Sequence, residues 1–127
     1  MRTFGLWVPA QADYAPVAGL ALCALTLKEG ADLDTLSDIR SVVSEAMDCL
    51  IHQPHAPERI QVDAEIQDGV LTVVLRALCC SREPVPAEGA DVNLSRAILE
   101  TLATHVRIDA DQEGRLEKIS LSIPLCA

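Results

Sequence analysis

The stretch Ile39-Arg-Ser-Val-Val-Ser-Glu-Ala-Met-Asp-Cys-Leu-Ile-His52 decides the fold, because it lies in the clearest helix of the sequence. Apolar residues recur in this region at spacings of three and four, as they do on the buried face of an amphipathic helix. They are Leu36, Ile39, Val43, Ala46 and Leu50. A second, polar row steps along the same helix and consists of Asp34, Asp38, Ser41, Glu45, Asp48 and His52.

The ends of this helix also have sequence signals. Thr35 with Asp38 three residues later resembles a capping box and predicts the start. Pro54 and Pro57 predict the end, since proline cannot continue a helix.

The segments on either side predict strands and one further helix. Residues 3–8 are typical of a short strand, and a first helix follows over roughly 11–28, with Gly30 as its stop. After the central helix, residues 60–66 alternate between apolar and polar, Asp68-Gly69 is a two-residue turn, and Val70 to Leu78 returns. The return strand is more continuously apolar and should be more central.

The last third of the chain predicts a helix and two closing strands. Asp91 can cap a helix that carries Leu94, Ile98 and Leu102, and strands follow over 106–108 and 119–123. The loop over 80–91 is long for a compact domain and suggests a lid or its remnant. The order β-α-α-β-β-α-β-β predicts one domain over 1–127. Its fold class is an α+β two-layer sandwich, a mostly antiparallel sheet covered on one face by about three helices.

Composition excludes several classes of function. The formal net charge of −9 argues against nucleic-acid binding and against an anionic membrane surface, because both need Lys and Arg. The longest apolar run, residues 17–27, is too short to span a bilayer, and the chain begins without a signal-peptide pattern. Five cysteines without regular spacing favour reduced thiols and a cytoplasmic location.

The segment from Asp38 to Ala46, with the order of elements around it, resembles the GHKL (Bergerat-fold, histidine-kinase-like) ATPase superfamily. The resemblance is to the small bacterial anti-sigma factors that are also serine kinases. It covers almost the whole chain and is more specific for the fold than for the activity. It implies that Glu45 occupies the position of the general base that activates a hydroxyl for attack on ATP.

Other positions of the motif depart from the family. Cys49 stands where the family has an Mg²⁺-binding Asn, and a thiol is a poor ligand for hard Mg²⁺. Ala77 stands where an Asp would bond adenine, and the close-approach glycines fall on residues 78–81 and on Asn93-Leu94-Ser95. The nucleotide-pocket positions Glu45, Cys49 and Ala77 therefore predict a degenerate site in which Glu45 is vestigial. We expect no metal ligands and no cofactor.

The sequence is compatible with three functions, of which the resemblance implies the first two. The first is an anti-sigma-factor-like regulator of transcription that acts by sequestration, as a homodimer that binds a sigma factor and is released by an antagonist protein. The negative charge of this chain would complement basic surfaces on a sigma factor. The second is an active ATP-dependent serine kinase that uses Mg-ATP. Enzymatic activity is thus left open.

The third alternative uses the cysteines. Cys49 and His52 lie three residues apart on one helix, and Cys79 and Cys80 end a strand that should approach it. Together they could bind Zn²⁺ or sense oxidation. The alternative interpretation, which we favour, is that these cysteines fill an emptied pocket as small hydrophobic residues.

Overall fold

A computed structural model describes residues 2–80 and 91–125 of the chain. Its strands and helices are, in chain order, β1 (Arg2–Pro9), α1 (Ala15–Leu27), α2 (Leu33–Ile51), β2 (Arg59–Gln67), β3 (Val70–Leu78), α3 (Val92–Leu102), β4 (Thr104–Ala110) and β5 (Leu116–Pro124). A single 3-10 turn over Ala12–Tyr14 precedes α1. The order of elements agrees with the sequence prediction.

The strands form one antiparallel sheet in the order β1-β2-β3-β5-β4. β3 is the middle strand, as its apolar sequence predicts. The hairpin between β2 and β3 turns at Asp68 and Gly69, which both have positive φ, at 53° and 74°. Two successive positive φ values are what a type I′ turn requires, so the Asp-Gly pair sets the register of the hairpin.

The helices cover one face of this sheet, and the core lies between the two layers. Alternate residues of β2 and β3 point into it, among them Ile60, Val62, Leu71 and Leu75, all fully buried. α2 supplies the largest helical share, namely Ile39, Val42, Val43, Ala46, Met47, Cys49 and Leu50. The α+β two-layer sandwich predicted from the sequence is confirmed.

Two helix starts differ from the prediction. α2 begins at Leu33, and its cap is Asp32, whose Oδ1 accepts from the Thr35 N–H at 2.8 Å. The predicted capping box of Thr35 and Asp38 is therefore wrong, because the carboxylate of Asp32 accepts from the Thr35 N–H instead.

α1 begins at Ala15 rather than near residue 11. Pro16 lies in its first turn, where proline is well tolerated.

The inward face of α3 also differs. Leu94 is 58% exposed, whereas Ser95 and Leu99 are the buried residues of this helix. Asp91 does cap it, since its Oδ1 accepts from the Leu94 N–H at 3.1 Å. The helix therefore faces α2 through a small hydroxyl and one leucine. Of the three apolar residues named from the sequence, Leu94 points to solvent, whereas Leu102 packs against the core. The lid predicted over 80–91 lies almost entirely outside the described residues.

No helix in the described part of the chain has the length and apolar character needed to cross a membrane.

Candidate functional site

Glu45 lines an open groove between the three helices. The groove has a volume of about 560 Å³ and contains Ala15, Pro16 and Gly19 of α1, Ile98 of α3, and Ser37, Arg40, Ser41 and Ser44 of α2. Glu45 is half-buried at its edge. Gly19 packs against α2, since a Cβ there would lie at an ordinary contact distance of 3.7 Å from Arg40 Cα. The groove therefore presents hydroxyls, one guanidinium and one carboxylate to solvent.

Cys49 lies one turn after Glu45, but its side chain is fully buried. Ser95 of α3 is also buried. Burial raises the pKa of the Cys49 thiol, and the nearby carboxylates of Glu45 and Asp48 raise it further, while Ser95 and Arg96 oppose the shift. At neutral pH this side chain is a protonated thiol packed between two helices.

Ala77 lies at the end of β3, opposite Ile60 of β2, and packs partly against the core. It also lines a separate depression of about 440 Å³ with Arg107, Asp109 and Lys118. Alanine supplies neither a donor nor an acceptor at this position. The structure thus brings Glu45 and Cys49 together on α2 and gives Ala77 different neighbours.

Asn93, Leu94 and Ser95 lie within the first turn of α3 rather than in a loop. Leu94 and Ser95 donate backbone N–H groups to Asp91, to its side chain and its carbonyl respectively. The first of these bonds caps the helix, and the second is its first backbone hydrogen bond. These N–H groups are therefore not free to bind the phosphates of a nucleotide, which is the role that glycine-rich helix starts have.

Three of the described positions lack the groups that the resemblance expects for Mg-ATP. Mg²⁺ requires oxygen ligands, and the position beside Glu45 holds a buried thiol. The position expected to recognise adenine holds a methyl group, and the helix start expected to hold phosphate is occupied by Asp91.

The thiol and imidazole cluster of the third alternative does not form among residues 2–80 and 91–125. No group of three or more His, Cys, Asp or Glu side chains there is placed to hold a metal ion. His52 pairs through Nδ1 with Asp48 Oδ1 at 2.9 Å, and Cys79 accepts from Arg59 at 3.3 Å. The pKa of the Cys80 thiol is raised, chiefly by burial, while the charge of Arg115 lowers it and that of Asp111 raises it.

The interpretation of the cysteines as pocket fillers holds for only some of them. Cys49 is fully buried and Cys80 partly so, whereas Cys79 is exposed. Cys79 has a positive φ of 58°, which turns the chain out of β3 and places its sulfur beside the Arg59 guanidinium. Position at the end of an apolar strand did not predict this exposure.

Two further features were missed in the sequence. Gln53 is buried at the end of α2 and binds the backbone of Leu116, although its place beside Pro54 suggested only a helix end. Arg59 stacks over Trp7, with 5.1 Å from the guanidinium carbon to the ring centroid. Alternation in β2 could have located the Arg59 contact, since it puts Arg59 on the sheet face away from the helices.

The comparisons with known proteins concern the fold. No protein-family profile and no curated protein matches the chain. Among solved structures, the crystal structure of the RsbU and RsbW domains of Rv1364c from Mycobacterium tuberculosis superimposes with a TM-score of 0.72 and 18% identity. The superposition covers 98% of this chain and 33% of the solved one, so this chain spans about a third of that length. The likeness shows that the two share a fold.

Proposed function

We propose that this chain is an anti-sigma-factor-like regulator that acts by sequestering a protein partner. The resemblance of residues 38–46 to bacterial anti-sigma factors supports the class of function. The shared fold with a chain that contains an RsbW domain supports it independently. The observation that carries the choice of sequestration over phosphorylation is Cys49, a buried thiol where the related kinases need a ligand for Mg²⁺.

The proposed partners are a sigma factor and an antagonist protein that releases it. Sigma factors present basic DNA-binding surfaces, and this chain carries 19 Asp and Glu against 10 Lys and Arg. Complementary charge raises association rates and selects partners more than it raises affinity. We further propose a homodimer in the bacterial cytoplasm, as in the family that the sequence resembles.

A thermal-unfolding experiment separates sequestration from the kinase alternative. A site with a Kd of about 10 μM would stabilise the fold by about 2.7 kcal/mol at 1 mM Mg-ATP. For a chain of this size, that is a rise in Tm of about 10 °C. We expect no rise. A clear stabilisation would instead favour the active kinase with Glu45 as its base.

A binding experiment tests the sequestration itself. The tagged full chain, expressed in its native host, should co-purify a sigma factor or an antagonist protein, and adding 1 mM Mg-ATP should not change the recovery. Recovery of neither protein class, repeated with purified sigma factors of the host, would contradict the proposal.

A further inference from the structure

The outer face of α2 carries three serines that do not bond to their own helix. Ser37, Ser41 and Ser44 are all exposed, and serine favours a helix less than alanine, lysine or glutamate does. The hydroxyls of Thr26 and Thr101, by contrast, donate to helix carbonyls one turn earlier. Within the described residues, none of the three serine hydroxyls has a hydrogen-bond partner. These hydroxyls are therefore available to a ligand.

The same serines line the groove of about 560 Å³ between the three helices, together with Arg40 and Glu45. Neither Arg40 nor Glu45 forms an ion pair with any residue in the described part of the chain. The groove therefore contains a guanidinium and a carboxylate that are not neutralised by each other or by a neighbour.

The helical period arranges these groups in order across the groove. Successive residues lie about 100° apart around a helix axis. Going around α2, the order is therefore Arg40, Ser44, Ser37, Ser41 and Glu45, within an arc of roughly 140°. The positive group lies on one side of the groove, the negative group lies on the other, and the hydroxyls lie between them.

Contacts with the neighbouring helices agree with this order. The stem of Arg40 lies against α1, because a Cβ at Gly19 would be 3.7 Å from Arg40 Cγ. The pKa of Cys49 is raised chiefly by burial, while Ser95 of α3 lowers it and the charge of Glu45 raises it, so Glu45 lies on the side of this thiol that faces α3. The positive side of the groove is thus next to α1 and the negative side is next to α3.

We propose that this groove binds a short peptide with free ends. Its terminal carboxylate contacts the guanidinium of Arg40, its terminal ammonium contacts the carboxylate of Glu45, and the peptide groups between them bond to the serine hydroxyls. A hydroxyl both donates and accepts, so it can pair with either a peptide N–H or a peptide C=O. The inference does not rest on the proposed function, since sequestration of a protein needs no small ligand.

The charges and walls of the groove favour this class of ligand over others. A ligand with a net charge of either sign would bring that charge near a like charge of the groove. An extended di- or tripeptide holds its two charges roughly 7–10 Å apart, whereas a single amino acid holds them on neighbouring atoms. Ala15, Pro16 and Ile98 provide apolar walls for small side chains, and the volume is within the usual range for small-ligand sites.

Isothermal titration calorimetry of the full chain with trialanine tests the proposal. We expect a Kd of about 0.1–1 mM, the range that small ligands of this size reach. Trialanine amide lacks the negative end and acetyl-trialanine lacks the positive end, so each should bind about five- to ten-fold more weakly. A wild type that does not bind trialanine, or that binds acetyl-trialanine amide as tightly, would overturn the proposal.

Removal of each charged group should abolish the preference for the matching end of the peptide. Arg40→Leu should bind trialanine about five- to ten-fold more weakly than the wild type and should no longer distinguish it from trialanine amide. Glu45→Gln should show the same loss but should no longer distinguish trialanine from acetyl-trialanine. If the two variants lose the opposite preferences, or lose none, the proposed arrangement is wrong.

The serines give a test in which stability and binding change in opposite directions. The triple variant Ser37→Ala/Ser41→Ala/Ser44→Ala should have a Tm a few degrees above that of the wild type, because alanine is the best helix former. It should nevertheless bind trialanine about three- to ten-fold more weakly, because the peptide groups lose their partners. A triple variant with wild-type affinity would contradict the proposed role of the hydroxyls.

Two exposed charges outside the groove provide matched controls. Arg107→Leu on β4 and Glu100→Gln on α3 change the net charge as Arg40→Leu and Glu45→Gln do, and they should leave the Kd for trialanine unchanged. Equal weakening by the controls would mean that net charge alone matters and would overturn the site.

These results are independent of the sequestration test. A chain that recovers a sigma factor but does not bind trialanine contradicts only the peptide site. A chain that binds trialanine but recovers no sigma factor or antagonist contradicts only the proposed function.

Discussion

The side chain of Gln53 binds both backbone groups of Leu116. Its Nε2 donates to the Leu116 carbonyl at 3.0 Å, and the Leu116 N–H donates to its Oε1 at 2.9 Å. The same Nε2 also donates to the Leu50 carbonyl at 2.8 Å. One buried amide thus ties the end of α2 to the start of β5, where no regular hydrogen bonding would join a helix to a strand.

Replacing Gln53 by Leu should be strongly destabilising. The side chain is 6% exposed, and its loss removes the partner of the backbone groups of Leu116 and of the Leu50 carbonyl. We expect a loss of about 3 kcal/mol in the free energy of unfolding. Urea unfolding followed by circular dichroism measures it. Gln112→Leu, in an exposed turn, is the control and should change the stability by less than about 0.5 kcal/mol.

The buried and exposed leucines of α3 should respond differently to truncation. Leu99→Ala removes a fully buried side chain and should cost about 3 kcal/mol. Leu94→Ala alters a mostly exposed one and should be nearly neutral. Measurement of both by urea unfolding tests the orientation of the helix. Equal effects would mean that Leu94 faces the core, as its spacing with Ile98 and Leu102 suggested.

The cap of α2 should respond to acid. The backbone N–H of Thr35 donates to the Asp32 carboxylate and lowers its pKa below the ordinary 3.8. A carboxyl group whose pKa is lowered in the folded state stabilises the fold at a pH above its ordinary pKa. That stability is lost as the pH falls through the pKa of the folded state. Asp32→Ala should therefore lower Tm at pH 7, and the difference from wild type should shrink below pH 4.

A matched variant isolates the cap from simple loss of charge. Asp34 is also exposed and lies in the first turn of α2, but no side-chain cap is assigned to it. Asp34→Ala should lower Tm less than Asp32→Ala does at pH 7. If the two variants behave alike, the hydrogen bond to Thr35 is not what stabilises the start of the helix.

The thiols should react in the order of their exposure. Cys79 is exposed and should be labelled first by a thiol reagent at pH 7. Cys49 is buried with a raised pKa, so both access and thiolate fraction oppose its reaction. We expect Cys49 to be labelled only at the rate of global unfolding. Mass spectrometry of peptides after timed labelling gives the order, and early labelling of Cys49 would disprove the closed packing beneath α3.

The same thiol should make the protein sensitive to alkali. Burial raises the pKa of Cys49 above its ordinary value of 9.0, so the unfolded chain releases its proton first as the pH rises. Stability from this group is complete below the ordinary pKa and is lost as the pH rises toward the folded value. Between pH 8 and pH 10, Cys49→Ala should lose less stability than the wild type, although it begins lower at pH 8.

The spacing of apolar residues and the residues typical of turns predicted most of the fold. Alternation from Ile60 to Ile66 and the Asp68-Gly69 pair determine the hairpin, because each residue there contributes through local geometry. The start of α2 was misplaced because two capping carboxylates, Asp32 and Asp38, are both plausible in sequence. Only the path of the chain after α1 decides which of them meets a free N–H.

The candidate site was less predictable because it depends on contacts between distant residues. The cysteine at position 49 showed that an oxygen ligand for Mg²⁺ was missing, but the sequence did not show that Ser95 would lie near the thiol. The cysteines near residue 80 were expected beside Cys49, yet the positive φ of Cys79 directs its side chain to Arg59. Backbone conformation at a strand end has no signature in an apolar sequence.

The position of β3 between β2 and β5 also has a consequence for how the chain folds. Its pairing with β2 closes across a two-residue turn, whereas its pairing with β5 brings together Arg76 and Lys118, more than forty residues apart. Closing the longer loop costs more chain entropy, so the hairpin should form first and β5 should be added late. Until β5 arrives, the other side of the most apolar strand has no partner, and that interval is when two nascent chains are most able to aggregate.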